Sequence, residues 1–398
     1  MNPVRYVKSY GIRHTLKVIY QYKIDDWMRK MIKVFTGTKL ISNSIVIESH
    51  NDFDSTGGAF YDYLIQNGYN KKYKIIWLIK NKKVKNLPNN VKQYYLYKPS
   101  FIKNYYITCS KFILTCQDAI GSIKEQQISI YLTHGAFGLK DCKGKIDLPR
   151  NLSYCLMPSD YVTPLLIDQY NLSSTTKTIE VGFPTHDIFY NKVTGDLNKI
   201  TDKKYKKVIL WMPTFRKGKA FNRNDSTIEL PFGIPIIQNS NMFNKLNEKL
   251  KASDSLLIIK LHPMQDLSVV KAHDLSNIKI LTGDSVKKKN IDNYRLMKDV
   301  DALISDYSSA AYDFLHLNRP LAFTIDDLNE YKLGLISDNP DEFICGEVIK
   351  NYNEFIKFIN DVLENKDPYI EERRTVFNKV FKYHDGKSSE RLVEFMNL

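Results

Sequence analysis

The sequence predicts an α/β protein of two doubly wound domains, and three observations carry that prediction. The chain has 398 residues, 43% of them hydrophobic, enough for two cores. From residue 45 onward, short apolar runs rich in β-branched and aromatic residues alternate with longer helical patterns. That alternation comes in two sets, separated by a polar, lysine-rich segment at 191–206 that reads as a linker. Strands separated by helices imply parallel pairing, because each return to the sheet needs a crossover.

The first set of expected strands is 45–48, 75–79, 111–115, 128–133, 152–157 and 178–181, with helices at 57–67, 99–108 and 160–170. The second set is 207–212, 256–261, 278–281, 301–305 and 320–325, with helices at 241–252, 308–317 and 352–364. Residues 217–235, with Gly218, Pro231, Gly233 and Pro235, read as a long loop of the kind that often carries function. The expected domains are 1–44 as a separate basic segment, 45–190, 191–380, and a C-terminal piece at 381–398.

Residues 1–44 hold nine Lys and Arg against Asp25 and Asp26. Apolar residues recur there at helical spacing: Leu16, Ile19, Tyr20, Ile24, Trp27, Met28, Met31 and Phe35. A basic amphipathic helix of this kind lies in a lipid headgroup layer or docks its stripe on the protein's own core. The N-terminal residues have charges where an export signal has its apolar stretch, so neither export nor a membrane span is expected.

The net charge of +14 favours anionic partners: nucleic acid, an anionic membrane surface or phosphorylated substrates. No recognisable nucleic-acid module accompanies it, so nucleic acid is not expected. The five cysteines are scattered without a CxxC pair, which argues against a disulfide framework or a zinc site. Phosphate-loop, nucleophile-elbow and HExxH patterns are missing from the sequence, and no metal site is expected.

In open α/β sheets, ligands bind beyond the carboxyl ends of the strands. The residues there include Glu48-Ser49-His50, His134-Gly135, Thr214-Phe215-Arg216, His262-Pro263 and 306–309. Ser308 or Ser309 can cap the helix that follows, leaving hydroxyls and free N–H groups for a phosphate; a plain capped helix gives the same pattern. His262 can donate to a phosphate oxygen or simply be satisfied at its strand end. Arg216 can clamp a phosphate, or belong with Lys217 and Lys219 to a solvated basic loop.

Seven stretches agree, in order, with one family: "THGAFGLK", "VGFPTHDIF", "ILWMPTFRKG", "IIKLHP", "DVDALISDYSSAAYDFLHLNRPLAF", "DDLNEYK" and "HDGKSSERLV". From about residue 45 to the end, the chain resembles the CDP-glycerol glycerophosphotransferases, which build teichoic-acid and related polyol-phosphate chains. The resemblance implies a GT-B fold: two Rossmann-like domains about a cleft, and a C-terminal helix crossing back to the first. It implies transfer of a polyol phosphate from CDP-glycerol or CDP-ribitol to a hydroxyl of an undecaprenyl-diphosphate-linked saccharide or polymer, with release of CMP at the inner membrane face.

By motif match, His134 is the expected catalytic histidine and His262 sits beside the donor phosphates. Ser308, Ser309, Ser388, Ser389 and Arg391 are expected at the donor, with Arg216, Thr214 and Asp306; Gly135 and Lys140 are expected on the acceptor side. No cofactor is required, although a divalent ion is compatible with the reaction. The histidine loop departs from the family pattern: His134 to Lys140 spans six residues rather than five, with Phe137-Gly138 in place of a Thr-Pro turn. A GT-B enzyme using a nucleotide sugar and a non-catalytic membrane or nucleic-acid binder are the alternative readings.

Overall fold

A computed structural model describes residue 7 and residues 11–216, 218 and 225–398 of the chain. Lys217 and Lys219 of the expected basic loop lie outside the described residues. The chain divides into two compact units. Unit 1 takes the chain up to Ala136, then Lys143–Asp187 and Lys382–Leu398; unit 2 takes Phe137–Cys142 and Ile188–Phe381.

Unit 1 opens with helix α1 (Ile12–Thr36), followed by β1 (Ile41–Glu48), α2 (Ser55–Gln66), β2 (Lys74–Ile79), β3 (Val91–Tyr95), α3 (Phe101–Cys109), β4 (Ser110–Thr115), β5 (Ile128–Tyr131), β6 (Tyr154–Leu156), α4 (Thr163–Tyr170) and β7 (Lys177–Ile179). The seven strands are all parallel in the order β3-β2-β1-β4-β5-β6-β7. The central strands are near-continuous apolar runs because helices cover both faces: Ile45, Val46, Ile47, Ile75, Ile76, Ile113 and Leu114 are fully buried.

Unit 2 contains β8 (Lys207–Trp211), α5 (Ser240–Ala252), β9 (Ser255–Lys260), β10 (Ile278–Leu281), α6 (Gly283–Lys289), α7 (Asn293–Lys298), β11 (Ala302–Ser305), α8 (Ser309–Asp313), β12 (Leu321–Thr324), β13 (Glu347–Ile349), α9 (Tyr352–Leu363) and α10 (Ile370–Val380). Its six strands are parallel in the order β10-β9-β8-β11-β12-β13. Both sheets therefore reverse their strand order at one point, between β1 and β4 in unit 1 and between β8 and β11 in unit 2.

Several expectations change. The edge strands β3 and β13 were not expected; their half-exposed, mixed sequences lack the apolar run of a central strand. The expected helix at 308–317 ends after one turn at Asp313 and continues as a tighter turn over Phe314–Leu317. The 191–206 segment is no loose linker: Asp196 is buried, pairs with Lys199 at 2.8 Å and accepts the Asp292 N–H at 2.7 Å. The 217–235 loop sends Phe232 and Ile234 into the unit 2 core, so that part of it serves packing.

The last helix, α11 (Ser388–Met396), belongs to unit 1, where it packs on α2. Helix α1 packs on α3 through polar groups. Lys103 Nζ meets Asp25 Oδ2 at 2.6 Å in a buried pair, and Asn104 bonds both Asp25 (2.6 Å) and Arg29 Nε (2.9 Å). At the far end of α1, Lys124 donates to Thr36 Oγ1 and to the Lys39 carbonyl. The apolar stripe, read as lying in a headgroup layer or docking on the core, divides: Ile19, Ile24, Met28 and Met31 are half-buried. Leu16, Tyr20, Trp27 and Phe35 are 59%, 66%, 58% and 77% exposed, and Ile12 and Val34 join them.

Candidate active site

Unit 1 gathers its chemistry beside the point of strand reversal, where open α/β sheets bind ligands. The chain leaving β1 carries His50, the chain leaving β4 carries Gln117, and the chain leaving β5 carries His134. The His50 and His134 rings stack at 5.2 Å with 25° between their planes, and Gln117 Oε1 meets His50 Nδ1 at 3.1 Å. Both residues belong to the exposed surface.

The His134 imidazole titrates below the ordinary histidine value of 6.5. Desolvation is the larger cause and the neighbouring His50 the second, against a hydrogen bond to the Cys116 backbone that favours the charged form. The residue's exposure limits the depression, but its sign leaves His134 neutral at pH 7 and able to accept a proton. The residue before it, Thr133, holds φ +55°, a left-handed conformation uncommon for a β-branched side chain. Its hydroxyl bonds the Gly135 carbonyl at 2.9 Å. The turn that presents His134 is thus made by Thr133, and Gly135 takes no positive φ.

Beneath the pair lies a charged support. Glu48, fully buried, accepts the N–H groups of Cys116 and Gln117 at 2.9 and 3.0 Å and pairs with Lys80 at 2.5 Å. Burial pushes its carboxyl up. Lys80 also pairs with Asp118 at 2.7 Å, and Asp118 accepts the Tyr97 hydroxyl at 2.8 Å. Burial alone would lower the Lys80 pKa, but the two carboxylates raise it above the usual lysine value. Glu48 and Lys80 thereby hold the β4 exit loop, and with it Gln117, in place.

The C-terminal motif also sits in unit 1. The first-turn N–H groups of Ser388 and Ser389 both donate to the Asp187 carboxylate at 2.8 Å, so "VGFPTHD" caps "GKSSERLV". Gly182, at φ +80°, makes room for Ser388: an added Cβ would sit 2.5 Å from its hydroxyl oxygen. Arg391 pairs with Asp385 and lies 3.7 Å over the Tyr383 ring, while its Nη1 has no acceptor among the described residues.

Unit 2 has its own constellation at the reversal between β8 and β11. Asp306, fully buried, accepts the Thr214 N–H and hydroxyl, each at 2.8 Å, and Arg216 Nη1 at 3.0 Å. Arg216 also bonds Asp327 through Nε (2.6 Å) and Nη2 (3.0 Å), and Asp327 accepts the Tyr307 hydroxyl at 3.1 Å. Arg216 is 2% exposed, and its pKa is raised: the two carboxylates outweigh its desolvation. The guanidinium expected to clamp a phosphate is instead committed to two aspartates, and Thr214 and Asp306 are committed with it.

His262 follows β9, its ring 5.0 Å from that of Phe215. Its Nδ1 accepts the Met264 N–H at 3.1 Å, which places the ring proton on Nε2, a donor toward anionic oxygen. Ser308 caps α8, accepting the Ala310 N–H at 3.3 Å, and Ser309 follows it. Lys140, expected on the acceptor side, instead belongs to unit 2 and pairs with buried Asp225 at 3.1 Å. Phe137 is buried there between Tyr312 and Phe343, each ring 4.8 Å away. Gly138 lies so close to the α8 N-terminus that a Cβ would stand 3.0 Å from the Ser309 nitrogen. The Phe-Gly departure thus packs into unit 2.

The structure therefore brings His134 to Gln117 and His50 in unit 1, and His262, Ser308, Ser309, Thr214, Asp306 and Arg216 to unit 2. Ser388, Ser389 and Arg391 fall in unit 1. Sequence reasoning noted His50 at a strand end but did not place it in the site. The missing signal was strand adjacency, since β4 inserts between β1 and β5.

A family model described as CDP-glycerol:poly(glycerophosphate) glycerophosphotransferase matches residues 30–398. The chain is 25% identical over 254 residues to a teichoic acid glycerol-phosphate transferase of Staphylococcus aureus, covering 61% of this chain and 59% of that one. It is 25% identical over 380 residues to a teichoic acid poly(glycerol phosphate) polymerase of Bacillus spizizenii, covering 88% and 91%. The wall teichoic acid polymerase TagF superposes with a TM-score of 0.71 at 19% identity, covering 97% of this chain and 96% of that one, which shows the shared GT-B fold. With the match running through both units and every motif described above, this chain belongs to the CDP-glycerol:poly(glycerophosphate) glycerophosphotransferase family.

Proposed function

We propose that the protein transfers glycerol phosphate, or a related polyol phosphate such as ribitol phosphate, from a CDP-activated donor to a hydroxyl of a lipid-linked saccharide or growing polymer. The product belongs to teichoic acid or a capsule of similar backbone. The observation that carries this reading is the His50–His134 pair, with His134 held neutral at a strand end. His134 accepts the acceptor hydroxyl's proton as its oxygen attacks the β-phosphorus of the donor. The bond from that phosphorus to the bridging oxygen breaks, and CMP leaves with the electron pair. Phosphoryl-type transfer depends mainly on positioning and on neutralising oxygen charge. The Nε2–H of His262 and the hydroxyls of Ser308 and Ser309 suit the donor phosphates, and Arg391, with Nη1 unbonded among the described residues, suits an anion.

The reaction so written asks for no resident cofactor, and turnover in the presence of EDTA checks that. The decisive experiment measures CMP or nucleoside diphosphate release with CDP-glycerol, CDP-ribitol and a set of nucleotide sugars, each with a lipid-linked acceptor. Release from a CDP-polyol alone supports the proposal; release from a nucleotide sugar alone replaces it with glycosyl transfer, and release from none replaces it with a binding role.

Location at the cytoplasmic membrane face is part of the same reading. Among the described residues no helix is long and apolar enough to cross a membrane. Helix α1 instead turns Leu16, Tyr20 and Trp27 outward between lysines, the form of a helix lying in a headgroup layer. Leu16→Asp with Trp27→Asp is expected to cut sedimentation with phosphatidylglycerol vesicles at least tenfold, and unchanged binding would remove this part of the proposal.

A further inference from the structure

Unit 1 holds a cavity of ≈ 1050 Å³ between α1 and the chain leaving β3 and β4. Tyr22, Arg29 and Lys33 line it from α1, and Tyr97, Gln117 and Asp118 from the opposite wall. On a helix of 3.6 residues per turn, Tyr22, Arg29 and Lys33 share one stripe. The volume is just above the roughly 300–1,000 Å³ usual for small-molecule sites, more than a single glycerol phosphate needs.

The charges in the cavity are unevenly satisfied. Four carboxylates line it: Asp25 pairs with Lys103, Asp26 with Lys30 and Asp118 with Lys80, and Asp147 is the fourth. Arg29 does not have its counterpart. Its Nε donates to Asn104, and neither Nη group bonds an acceptor among the described residues. The guanidinium is half-buried, and desolvation lowers its pKa against the pull of Asp25 and Asp26. Lys33, one turn further on, makes no ion pair among the described residues. A planar two-nitrogen edge beside an ammonium matches the oxygens of a phosphate.

Two neighbours narrow the ligand. Along one edge, Ile19, Lys23 and Lys30 carry the cavity wall round α1 toward the exposed stripe of Leu16, Tyr20 and Trp27. In the opposite wall, Gln117 bonds His50, which stacks on His134. A ligand with an apolar tail at one end, an anion in the middle and a hydroxyl at the other matches these neighbours. We propose that the cavity binds the diphosphate and first sugar of the lipid-linked acceptor, with Arg29 and Lys33 on the diphosphate. The isoprenoid leaves along the exposed stripe, and Tyr22 and Tyr97 line the part that takes the sugar. The assignment rests on the acceptor class of the proposed reaction.

The test is isothermal titration of the full chain with a farnesyl-diphosphate-linked disaccharide, in the absence of any donor. Arg29→Gln and Lys33→Gln should each weaken binding at least tenfold while changing sedimentation with phosphatidylglycerol vesicles less than twofold. In turnover, the same variants should raise the KM for acceptor and leave kcat within twofold. Lys33 is exposed and makes no contact on which folding depends, so it carries the test if Arg29→Gln does not fold. Wild-type affinity in a folded Lys33→Gln overturns the proposal. A parallel loss of vesicle and acceptor binding also overturns it, by making the site a general contact for lipid phosphate. A chain that binds the acceptor analogue but releases nothing from any CDP-polyol loses the proposed reaction and keeps this site.

Discussion

The two units place polar residues at the same position in the same kind of sheet, yet treat their charges in opposite ways. At the unit 1 reversal, His50 and His134 stay open to solvent, and the ions beneath them support the loops. At the unit 2 reversal, Arg216, Asp306 and Asp327 are buried together and satisfy one another. A charged residue at a strand end is therefore a site only when its bonds are not already made within the protein. Burial and partners distinguish the two cases, and residue type does not.

The largest effect expected from this contrast is kinetic. His134→Ala should lower CMP release from the donor by about 10²–10⁴-fold, the usual contribution of a general base, with an unchanged melting temperature. A variant that keeps near-wild-type turnover would remove His134 from the chemistry. Arg216→Met should show the opposite pattern. It strands two buried carboxylates, so it should cost about 3–5 kcal/mol of stability, read from urea unfolding. A stable Arg216→Met with a raised donor KM would return Arg216 to phosphate binding and erase the contrast.

The smallest effect concerns the histidine pair. Because His134 titrates below 6.5, the acid limb of kcat/KM should lie below that pH. His50 is one cause of the depression, so His50→Ala should move the limb upward. A limb that does not move would make the 5.2 Å stack a packing contact without electrostatic consequence.

Much of the fold was legible in the sequence. Central strands buried on both faces must be apolar runs, and β1, β2, β4, β8, β9 and β11 appear near the expected boundaries. The edge strands β3 and β13, half-exposed and mixed in sequence, escape that rule and were missed. The site was legible in part: His134 and His262 stand directly after apolar runs, and the motifs around them carry the family. The ion-pair partners of Lys140 and Arg216 were not legible because they are far away in sequence. Asp327 is 111 residues from Arg216, and Asp225 is 85 from Lys140.

By itself, the sequence determined the two α/β sets, the histidines at strand ends and the family, since each depends on local periodicity or on motifs of fixed order. Tertiary structure alone decided that β1 and β5 flank β4, which brings His50 onto His134. It decided that Arg216 is a strut, through carboxylates supplied by distant turns. It also decided which way α1 faces. Helical periodicity records that a stripe is apolar; the buried Asp25–Lys103 pair turns one polar side toward the protein and leaves Leu16, Tyr20 and Trp27 outward.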